Sequence, residues 1–414
     1  MIYANPLVAI ALSFAFLGLM LYKRVNLGIT LNATAIILAL LAISWQEIPV
    51  IVFTTSTSLL TLSVVLATFG IMWLSQLYKD TGFINRLSES LGRIFRNPKI
   101  VLSMLPAIIG FLPVAGGALM SAPLVETEGD KIGLKAEKKA YVNLWFRHTI
   151  FPVYPISQVL ILAAFLAGTT VSALILRQIP VVIVMIVVGY VVGFWKTRNP
   201  KPDATMSGAG TLNADIKTFI TIFSPILITI VVAVGLEVVA PALAKLGFDV
   251  LAATFVGVAA LAFISKTKLR DLAKPLRSRG IYGIAFAAYG AFLLGNVVRA
   301  TNISSLFEDL ALSGSVDQTI LLTITPAILG AATASALGGV SISVPLLAGI
   351  FTLSPKTASL IYMSAYLGYV ISPTHLCLAF TADYFKCSLK KAYKYVIPSF
   401  LITYAAAILV YLFL

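Results

Sequence analysis

The sequence predicts an all-α, polytopic membrane protein. Of its 414 residues, 59% are hydrophobic and only 11% are charged, a balance that soluble globular domains do not have. The apolar residues come in long runs, and about 20 such residues suffice to cross the hydrocarbon core of a bilayer as a helix. The formal net charge of +14 does not indicate nucleic-acid binding, because the Lys and Arg residues lie between the apolar runs, where cytoplasmic loops carry them.

Ten apolar segments are long enough to span the membrane as helices, since roughly 17–25 apolar residues are required. Two further segments, at about 100–125 and 318–352, are apolar but are interrupted by proline and glycine. The ten predicted spans are about 6–22, 26–44, 57–78, 139–166, 170–194, 216–240, 249–265, 281–298, 356–385 and 393–413.

The two halves of the chain repeat each other at an offset of about 220 residues. Residues 105–111 read LPAIIGF and residues 325–331 read TPAILGA, and in each half a Gly-Gly pair and then a proline follow. The polar stretch 197–215, rich in Gly and Pro, is a linker between the halves. We therefore predict a first repeat at 1–196 and a second at 216–414, a weak internal symmetry typical of secondary transporters.

The distribution of charge favours re-entrant hairpins at the two interrupted segments. If both segments enter the membrane and return to the same side, nearly all of the 30 Lys and Arg residues fall on one side. If both segments cross, the basic residues divide almost evenly. The positive-inside rule therefore predicts two hairpins, an inverted second repeat, a cytoplasmic linker and both termini outside. We expect the hairpin tips to meet near the midplane around a binding site, because irregular backbone is tolerated there only beside protein or a water-filled cavity.

Two long apolar segments contain internal prolines and are predicted to be broken helices, at about 139–166 and 356–385. Pro152 and Pro155 interrupt the first, and Pro373 interrupts the second. Broken helices expose half-helix termini and free carbonyl groups, which serve as ion and anion sites in transporters. We therefore expect polar residues near the two breaks to carry the function.

Two inverted repeats, each with a re-entrant hairpin followed by a broken helix, resemble the ion transporter superfamily. More narrowly, LPVAGGALMSAPLVE and SPTHLCLAFTADYF resemble a prokaryotic integral membrane family of unknown function within it. The resemblance implies an elevator-type secondary transporter of a small organic anion, coupled to sodium or protons. It also implies a homodimer in the cytoplasmic membrane. The Ser-Asn-Thr motif often found at the hairpin tips of that superfamily is absent here.

Arg147 and His148 stand just before the prolines of the first broken helix, in NLWFRHTIFPVYP. An arginine inside the membrane costs about 2.5–3.5 kcal/mol on insertion scales, so it needs a partner or a function. The functional interpretation is recognition of a substrate carboxylate or phosphate. The structural interpretation is an arginine that reaches the interface or pairs with an acid such as Glu126. Asn143, about one turn earlier, fits substrate binding or helix–helix hydrogen bonding.

Polar residues also follow or flank the breaks themselves. Ser157 and Gln158 follow the first break. At the second break His375 follows Ser372 and Thr374, and it is a candidate to bind substrate or to relay protons. The alternative for His375 is a buried histidine whose ring is satisfied by backbone groups.

Small residues at the two hairpin tips are the remaining candidates. Glycines let the backbone turn and approach a substrate closely, and hydroxyls with free carbonyls suit a sodium ion. Close packing of helices explains the same small residues equally well. The candidates are Gly116, Gly117, Gly338 and Gly339 for the turns and for substrate contact, and Ser335, Ser341 and Ser343 for a sodium site.

The sequence thus predicts a secondary active transporter of a small, carboxylate-type anion that needs no cofactor beyond Na+ or H+. A cation/proton antiporter is the alternative within transport, although it would require a carboxylate pair at the midplane. An intramembrane enzyme is the alternative from another class. It lacks support because His-Glu-x-x-His and Gly-x-Ser-x-Gly motifs are absent and the two histidines lie in different halves. The two cysteines, Cys377 and Cys387, are interpreted as apolar packing residues.

Overall fold

A computed structural model describes the chain over residues 5–95, 97–111, 117–197, 209–302 and 318–414. Within these ranges the backbone forms helices joined by turns and loops, without strands. The predicted all-α class is confirmed for this part of the chain. Gly116 and most of the linker 197–215 lie outside the described residues.

The helices of the two halves follow in chain order. The first half contains α1 (Pro6–Tyr22), α2 (Leu27–Ala42), α3 (Glu47–Thr57), α4 (Leu59–Asp80), α5 (Phe83–Ile94), α6 (Pro98–Gly110), α7 (Gly117–Lys131), α8 (Ala136–Thr149), α9 (Gln158–Leu166) and α10 (Val171–Phe194). The second half contains α11 (Ala209–Val239), α12 (Phe248–Ser265), α13 (Arg279–Ala300), α14 (Gln318–Thr333), α15 (Ala336–Ala348), α16 (Pro355–Ile371), α17 (Leu376–Tyr384) and α18 (Leu389–Phe413).

Seven helical stretches in the described ranges are long and apolar enough to cross a membrane. They are α4, the α8–α9 segment, α10, α11, α12, α13 and α18. Three of the ten predicted spans fall short of this length: α1 and α2 have 17 and 16 residues, and the third is divided into α16 and α17. The chain is therefore a multi-pass membrane protein with seven apolar helices of spanning length in its described part.

Each interrupted segment folds into two short helices that pack against each other, α6 with α7 and α14 with α15. The two arms whose ends both lie within the described residues, α6 and α15, have 13 residues each. Such a helix is about 20 Å long, shorter than the roughly 30 Å hydrocarbon core. As straight helices these two arms therefore do not cross the core alone. We call the two pairs the first and the second hairpin.

The second hairpin reverses direction at Ala334 and Ser335, not at the predicted glycine pair. Ala334 has a φ of 48°, in the left-handed region. The Ser335 hydroxyl caps α15 by accepting a hydrogen bond from the Gly338 N–H at 3.1 Å. The prediction that Gly338 and Gly339 form the turn is wrong, because both lie in the first turns of α15. The corresponding turn of the first hairpin, 112–116, lies outside the described residues.

The hairpins and the broken helices of the two halves interlock. Helix α7 of the first hairpin packs against α8 and also against α17 from the second half. Reciprocally, α15 of the second hairpin packs against α16 and also against α9 from the first half. Another group of helices forms a layer, in which α13 packs against α2 and α4, and α12 packs against α4 and α11. Because each hairpin packs against the broken helices of both halves, the breaks in the two broken helices lie close together.

Candidate substrate site

Arg147 projects from the last turn of α8 against the beginning of the first hairpin helix α7. The residue is only 2% exposed. A Cβ atom added to Gly117, the first residue of α7, would meet Arg147 Cζ at 2.6 Å and one of its terminal nitrogens at 2.8 Å. Glycine at this position therefore leaves room for the guanidinium group, which a larger residue would displace. The buried guanidinium charge beside this part of α7 suits an anion.

Asn143, one helical turn before Arg147, holds α7 in position. Its Nδ2 group donates to the Ala118 carbonyl oxygen at 2.8 Å and to the Thr381 hydroxyl at 3.2 Å. Its Oδ1 atom accepts from the Ser121 hydroxyl at 2.5 Å. The residue is fully buried, and these bonds join three helices. Of the two interpretations open from the sequence, the contacts favour helix–helix hydrogen bonding.

Glu126, considered as a partner for Arg147, makes a different contact. It accepts a hydrogen bond from the Tyr384 hydroxyl at 2.9 Å, at the exposed surface. The contact joins α7 to the end of α17. It links the first hairpin directly to the second broken helix, whereas the Asn143–Thr381 bond links the first broken helix to the second.

His148 and His375, from different halves, lie against each other in the interior. Their rings are perpendicular, with centroids 4.8 Å apart, and both residues are at most 1% exposed. His148 Nδ1 lies 2.7 Å from the Leu144 carbonyl oxygen and His375 Nδ1 lies 3.3 Å from that of Val370. Because a carbonyl oxygen only accepts, each Nδ1 carries a proton. In the neutral rings both Nε2 atoms are then acceptors.

The two Nε2 atoms differ in their surroundings. His148 Nε2 accepts from the Tyr369 hydroxyl at 3.3 Å. His375 Nε2 is buried and has no hydrogen-bond partner among the described residues. The Tyr369 ring also lies close to the His375 ring, with centroids 4.0 Å apart and the ring planes tilted by 43°. The backbone satisfies one nitrogen of His375 and leaves the other open.

Tyrosines of α16 close off the carbonyl groups at the first break. The Tyr366 hydroxyl donates to the His148 carbonyl oxygen at 2.6 Å, and the Tyr362 hydroxyl donates to that of Phe151 at 3.3 Å. The two rings are stacked at 5.8 Å. These carbonyls lack intrahelical partners because the helix ends there, and the tyrosines supply the missing donors. They are therefore not free to coordinate an ion in this conformation.

The sequence analysis did not select these tyrosines. A signal was present, since LIYMSAYLGYV places Tyr362, Tyr366 and Tyr369 at positions i, i+4 and i+7, on one face of a helix. In an apolar helix such a stripe is ordinarily interpreted as packing. Only the fold shows that it faces the break in the other broken helix.

Ser157 and Gln158 begin α9 on the far side of the first break, and both are less than 10% exposed. Ser157 lies beside the Tyr362 side chain. Gln158 Nε2 has no hydrogen-bond partner within the described chain. Both residues thus border the tyrosine-enclosed break.

At the second break, Ser372 fastens the chain to the second hairpin. Its hydroxyl donates to the Ala331 carbonyl oxygen in α14 at 2.6 Å and lies 3.1 Å from the Thr374 hydroxyl. Thr374 itself is exposed. Ser372 therefore positions the break, while Thr374 is available at its surface.

Gly338 and Gly339 allow close packing of the second hairpin. A Cβ atom at Gly339 would meet the Cα of Gly330 at 2.8 Å and the Cβ of Ala365 at 3.1 Å. A Cβ atom at Gly338 would meet the Thr333 side chain at 2.9 Å. The glycines bring α15 close to α14 and α16, the alternative that the sequence left open for small residues.

The three serines of the second hairpin have separate surroundings. Ser335 caps α15, and the Ser343 hydroxyl donates to the Gly339 carbonyl oxygen at 2.6 Å. Ser341 is fully buried, and its hydroxyl has no partner among the residues that the structure describes. Because residues two apart on a helix project about 200° apart, the hydroxyls of Ser341 and Ser343 do not converge on one ion.

Cys377 lies with the two histidines, although the sequence suggested only apolar packing. The ligand atoms of His148, His375 and Cys377 all lie within 4.8 Å of one another. His375 and Cys377 are two residues apart, a weak signal by itself. His148 belongs to the other half, so only the fold assembles the group.

The helical hairpins and interlocked broken helices define a class of multi-pass membrane protein, and comparisons place the chain more narrowly. It belongs to the family described as protein of unknown function (DUF401), whose model matches residues 7–414. Its fold is similar to that of the YdaH transporter of Alcanivorax borkumensis, with 14% sequence identity and a TM-score of 0.62. The similarity covers 87% of this chain and 86% of that chain. A comparison with curated proteins found no match.

The expected membership of a family of unknown function is confirmed. Membership of the wider ion transporter superfamily stays a prediction. At 14% identity the similarity to the YdaH structure shows a shared fold, so a transport function and its substrate require their own argument.

Proposed function

We propose that the protein is a secondary active transporter of a small organic anion, with Arg147 as the residue that binds the anion. One observation carries the proposal: the buried Arg147 guanidinium lies against Gly117 at the first residue of α7. A carboxylate at that place would receive two parallel hydrogen bonds from the guanidinium group. The similarity of fold to a transporter supports transport over an intramembrane enzyme.

The charges near Arg147 favour an anion over a cation. Arg147 is buried, and the carboxylate of Glu126 is engaged at the surface with Tyr384. A cation/proton antiporter would need carboxylates where this site has an arginine. We therefore rank the antiporter below the anion transporter.

Burial of the site supports alternating access. Arg147, His148 and His375 are each at most 2% exposed, so an anion reaches the guanidinium only if the first hairpin separates from α8. Such a movement would break the packing between Gly117 and Arg147. We infer an elevator mechanism in which the hairpins and broken helices move together against the layer of α2, α4, α12 and α13.

The lengths and positions of the helices support two repeats. Helices α4 and α13 each have 22 residues and begin at Leu59 and Arg279, 220 positions apart. The internal prolines of α6 and α14, Pro106 and Pro326, have the same offset. We propose that the second repeat is inverted, with both termini outside the cytoplasmic membrane and a homodimeric assembly. Coupling to sodium or protons belongs to the same proposal.

The test begins with a thermal-shift panel on purified protein. Mono- and dicarboxylates and phosphate esters are screened in sodium and in potassium buffers, because a ligand that binds only the folded state raises the apparent melting temperature. We then expect Arg147→Lys to weaken binding of the best ligand, since lysine offers a point charge in place of a two-pronged donor. Arg147→Ala should weaken it by about 10- to 150-fold, equivalent to about 1.5–3 kcal/mol for a charged hydrogen bond.

The matched control is Arg177→Lys, because Arg177 is an arginine within another predicted span, α10. The control should bind the ligand like the parent protein. An Arg147→Ala protein that melts at a lower temperature but keeps the parental dissociation constant would make the arginine structural and contradict the proposal.

A further inference from the structure

A second set of side chains beside the anion site has the composition of a metal centre. His148, His375 and Cys377 bring two imidazoles and a thiol together, with ligand atoms all within 4.8 Å of one another. Imidazole nitrogen and thiolate sulfur are ligands for zinc and for copper in the +1 state. The three residues come from both broken helices, so a bound ion would join α8 to the beginning of α17.

The hydrogen bonds around the imidazoles orient them as metal ligands. Each Nδ1–H donates to a backbone carbonyl, of Leu144 for His148 and of Val370 for His375. Metal-binding histidines almost always anchor the non-ligating nitrogen in this way, which leaves a lone pair on Nε2 for the ion. His375 Nε2 is buried and lacks a hydrogen-bond partner within the described ranges. This buried acceptor nitrogen is a second observation that indicates a bound ligand, in addition to the types of residue present.

The three ligand atoms must move slightly closer together to bind one ion. Ligand atoms at about 2.0–2.3 Å from an ion are at most about 4.3 Å apart, so the outermost pair must approach each other by roughly half an ångström or more. The Tyr369 hydroxyl, 3.3 Å from His148 Nε2, must release that nitrogen. The second break allows this adjustment and provides access, since Cys377 is partly exposed and Leu376 is 60% exposed.

Charge selects the ion. Binding releases the Cys377 thiol proton to solvent, and the thiolate with a monovalent cation is electrically neutral. A divalent cation leaves a net positive charge in an apolar interior, next to the arginine that adjoins His148 in the chain. Isolated charges are expensive in such surroundings. We propose that His148, His375 and Cys377 form a site for a soft monovalent cation, Cu+, distinct from the anion site at Gly117.

The experiment uses Ag+, a soft monovalent ion that needs no reductant, on the purified full-length protein. The chain has two cysteines, so Cys387→Ser leaves Cys377 as the single thiol and is the matched control for cysteine loss. We expect Cys387→Ser to bind one Ag+ with parental affinity in a competition with a chromophoric chelator. Ag+ should also protect Cys377 from maleimide in this variant.

Removal of a ligand should then lower the affinity. We expect Cys377→Ser to abolish stoichiometric Ag+ binding, and His375→Ala to weaken it by tenfold or more, because loss of even an outer-shell partner costs about 10- to 100-fold. X-ray absorption should show one sulfur and two nitrogens around the ion. Arg147→Lys, which disturbs the anion site, should keep Ag+ binding, so the two proposals fail separately.

Three outcomes would overturn the inference. Parental Ag+ affinity in both Cys377→Ser and His375→Ala would place the ion elsewhere, as would unchanged maleimide reactivity of Cys377 in the presence of Ag+. Tighter binding of Zn2+ than of Ag+ would contradict the charge argument. The maleimide measurement needs no histidine variant, so it remains decisive if His375→Ala fails to fold.

Discussion

The Arg147 guanidinium occupies the space that a side chain at Gly117 would need. A Cβ atom on Gly117 would lie 2.6 Å from Arg147 Cζ, well inside van der Waals contact. The long arginine side chain moves more easily than the backbone, so crowding at this glycine acts mainly on the position of the charge. The first hairpin and the arginine are thereby linked: displacing one displaces the other.

Gly117→Ala should therefore weaken anion binding more than it weakens the fold. We expect the dissociation constant of the best ligand from the thermal-shift panel to rise by about tenfold or more, equivalent to about 1.4 kcal/mol. The measurement is a ligand titration on matched amounts of parent and variant protein. Gly235→Ala is the control, because Gly235 is also helical and has no atom within 4 Å of an added Cβ. Equal affinity in Gly117→Ala and parent would separate the hairpin from the anion site.

The second prediction concerns the packing glycine of the second hairpin. A Cβ atom on Gly339 would meet the backbone of Gly330 at 2.8 Å, and backbone atoms yield less easily than a side chain. Gly339→Ala should destabilise the protein by about 1–3 kcal/mol, the usual cost of overpacking. Reversible unfolding in mixed detergent measures the change. Parental stability would show that α14 and α15 are less closely packed than the structure indicates.

The third prediction concerns the turn itself. Ala334 has a φ of 48°, and the left-handed conformation costs an L-residue about 1–2 kcal/mol. Ala334→Gly removes that cost but adds about 0.5–1 kcal/mol of chain entropy in the unfolded state. The variant should therefore be equal to the parent or more stable by up to about 1.5 kcal/mol. The same unfolding assay checks this, and a destabilised variant would contradict the position of the turn.

Much of the architecture could be predicted from the sequence, because a helix that crosses the membrane must be apolar along its whole length. All seven helices of spanning length were among the predicted spans, and Pro152 and Pro373 lie within the two breaks. The helix α3 was missed, since its 11 residues are too short for a hydropathy argument. The turn of the second hairpin was misplaced because glycine serves equally well for a turn and for close packing, and sequence alone does not separate the two.

The candidate site was predicted less completely, because its parts come from both halves. The separation of the two histidines along the chain was taken as evidence against a joint role, yet their rings are 4.8 Å apart. Cys377 and the tyrosines at 362, 366 and 369 received no role, because apolar segments contain such residues for packing alone. The crossing of the broken helices could not be predicted from the sequence, because it depends on long-range contacts between the repeats.

The fourth prediction concerns the junction at Asn143, which binds α7 and α17 through three hydrogen bonds. Asn143→Ala should destabilise the protein by about 1–3 kcal/mol, because the buried Ala118 carbonyl, the Ser121 hydroxyl and the Thr381 hydroxyl each lose one hydrogen bond. A double-mutant cycle with Thr381→Val should give a coupling energy of about 0.5 kcal/mol or more. Strict additivity would mean that Asn143 and Thr381 are not hydrogen-bonded, and that this link between the two broken helices is absent.

The fifth prediction compares two tyrosines that perform the same task at different distances. Tyr366 donates to the His148 carbonyl oxygen at 2.6 Å, whereas Tyr362 donates to that of Phe151 at 3.3 Å. Both bonds satisfy carbonyls that the break leaves without helical partners. Tyr366→Phe removes the shorter bond and leaves a buried acceptor unsatisfied, which should cost about 1–3 kcal/mol.

Tyr362→Phe is the matched control, because it removes one hydroxyl from the same helix and keeps the ring stack at 5.8 Å. Its longer bond is near the limit of hydrogen bonding, so the substitution should cost less than Tyr366→Phe. Unfolding of both variants in the same detergent mixture gives the order directly. Hydrogen exchange at the first break should accelerate more in Tyr366→Phe, since the end of α8 loses its strongest anchor to α16. A larger destabilisation by Tyr362→Phe than by Tyr366→Phe would contradict this prediction. It would mean that α16 holds the first break mainly through the bond from Tyr362 to the Phe151 carbonyl.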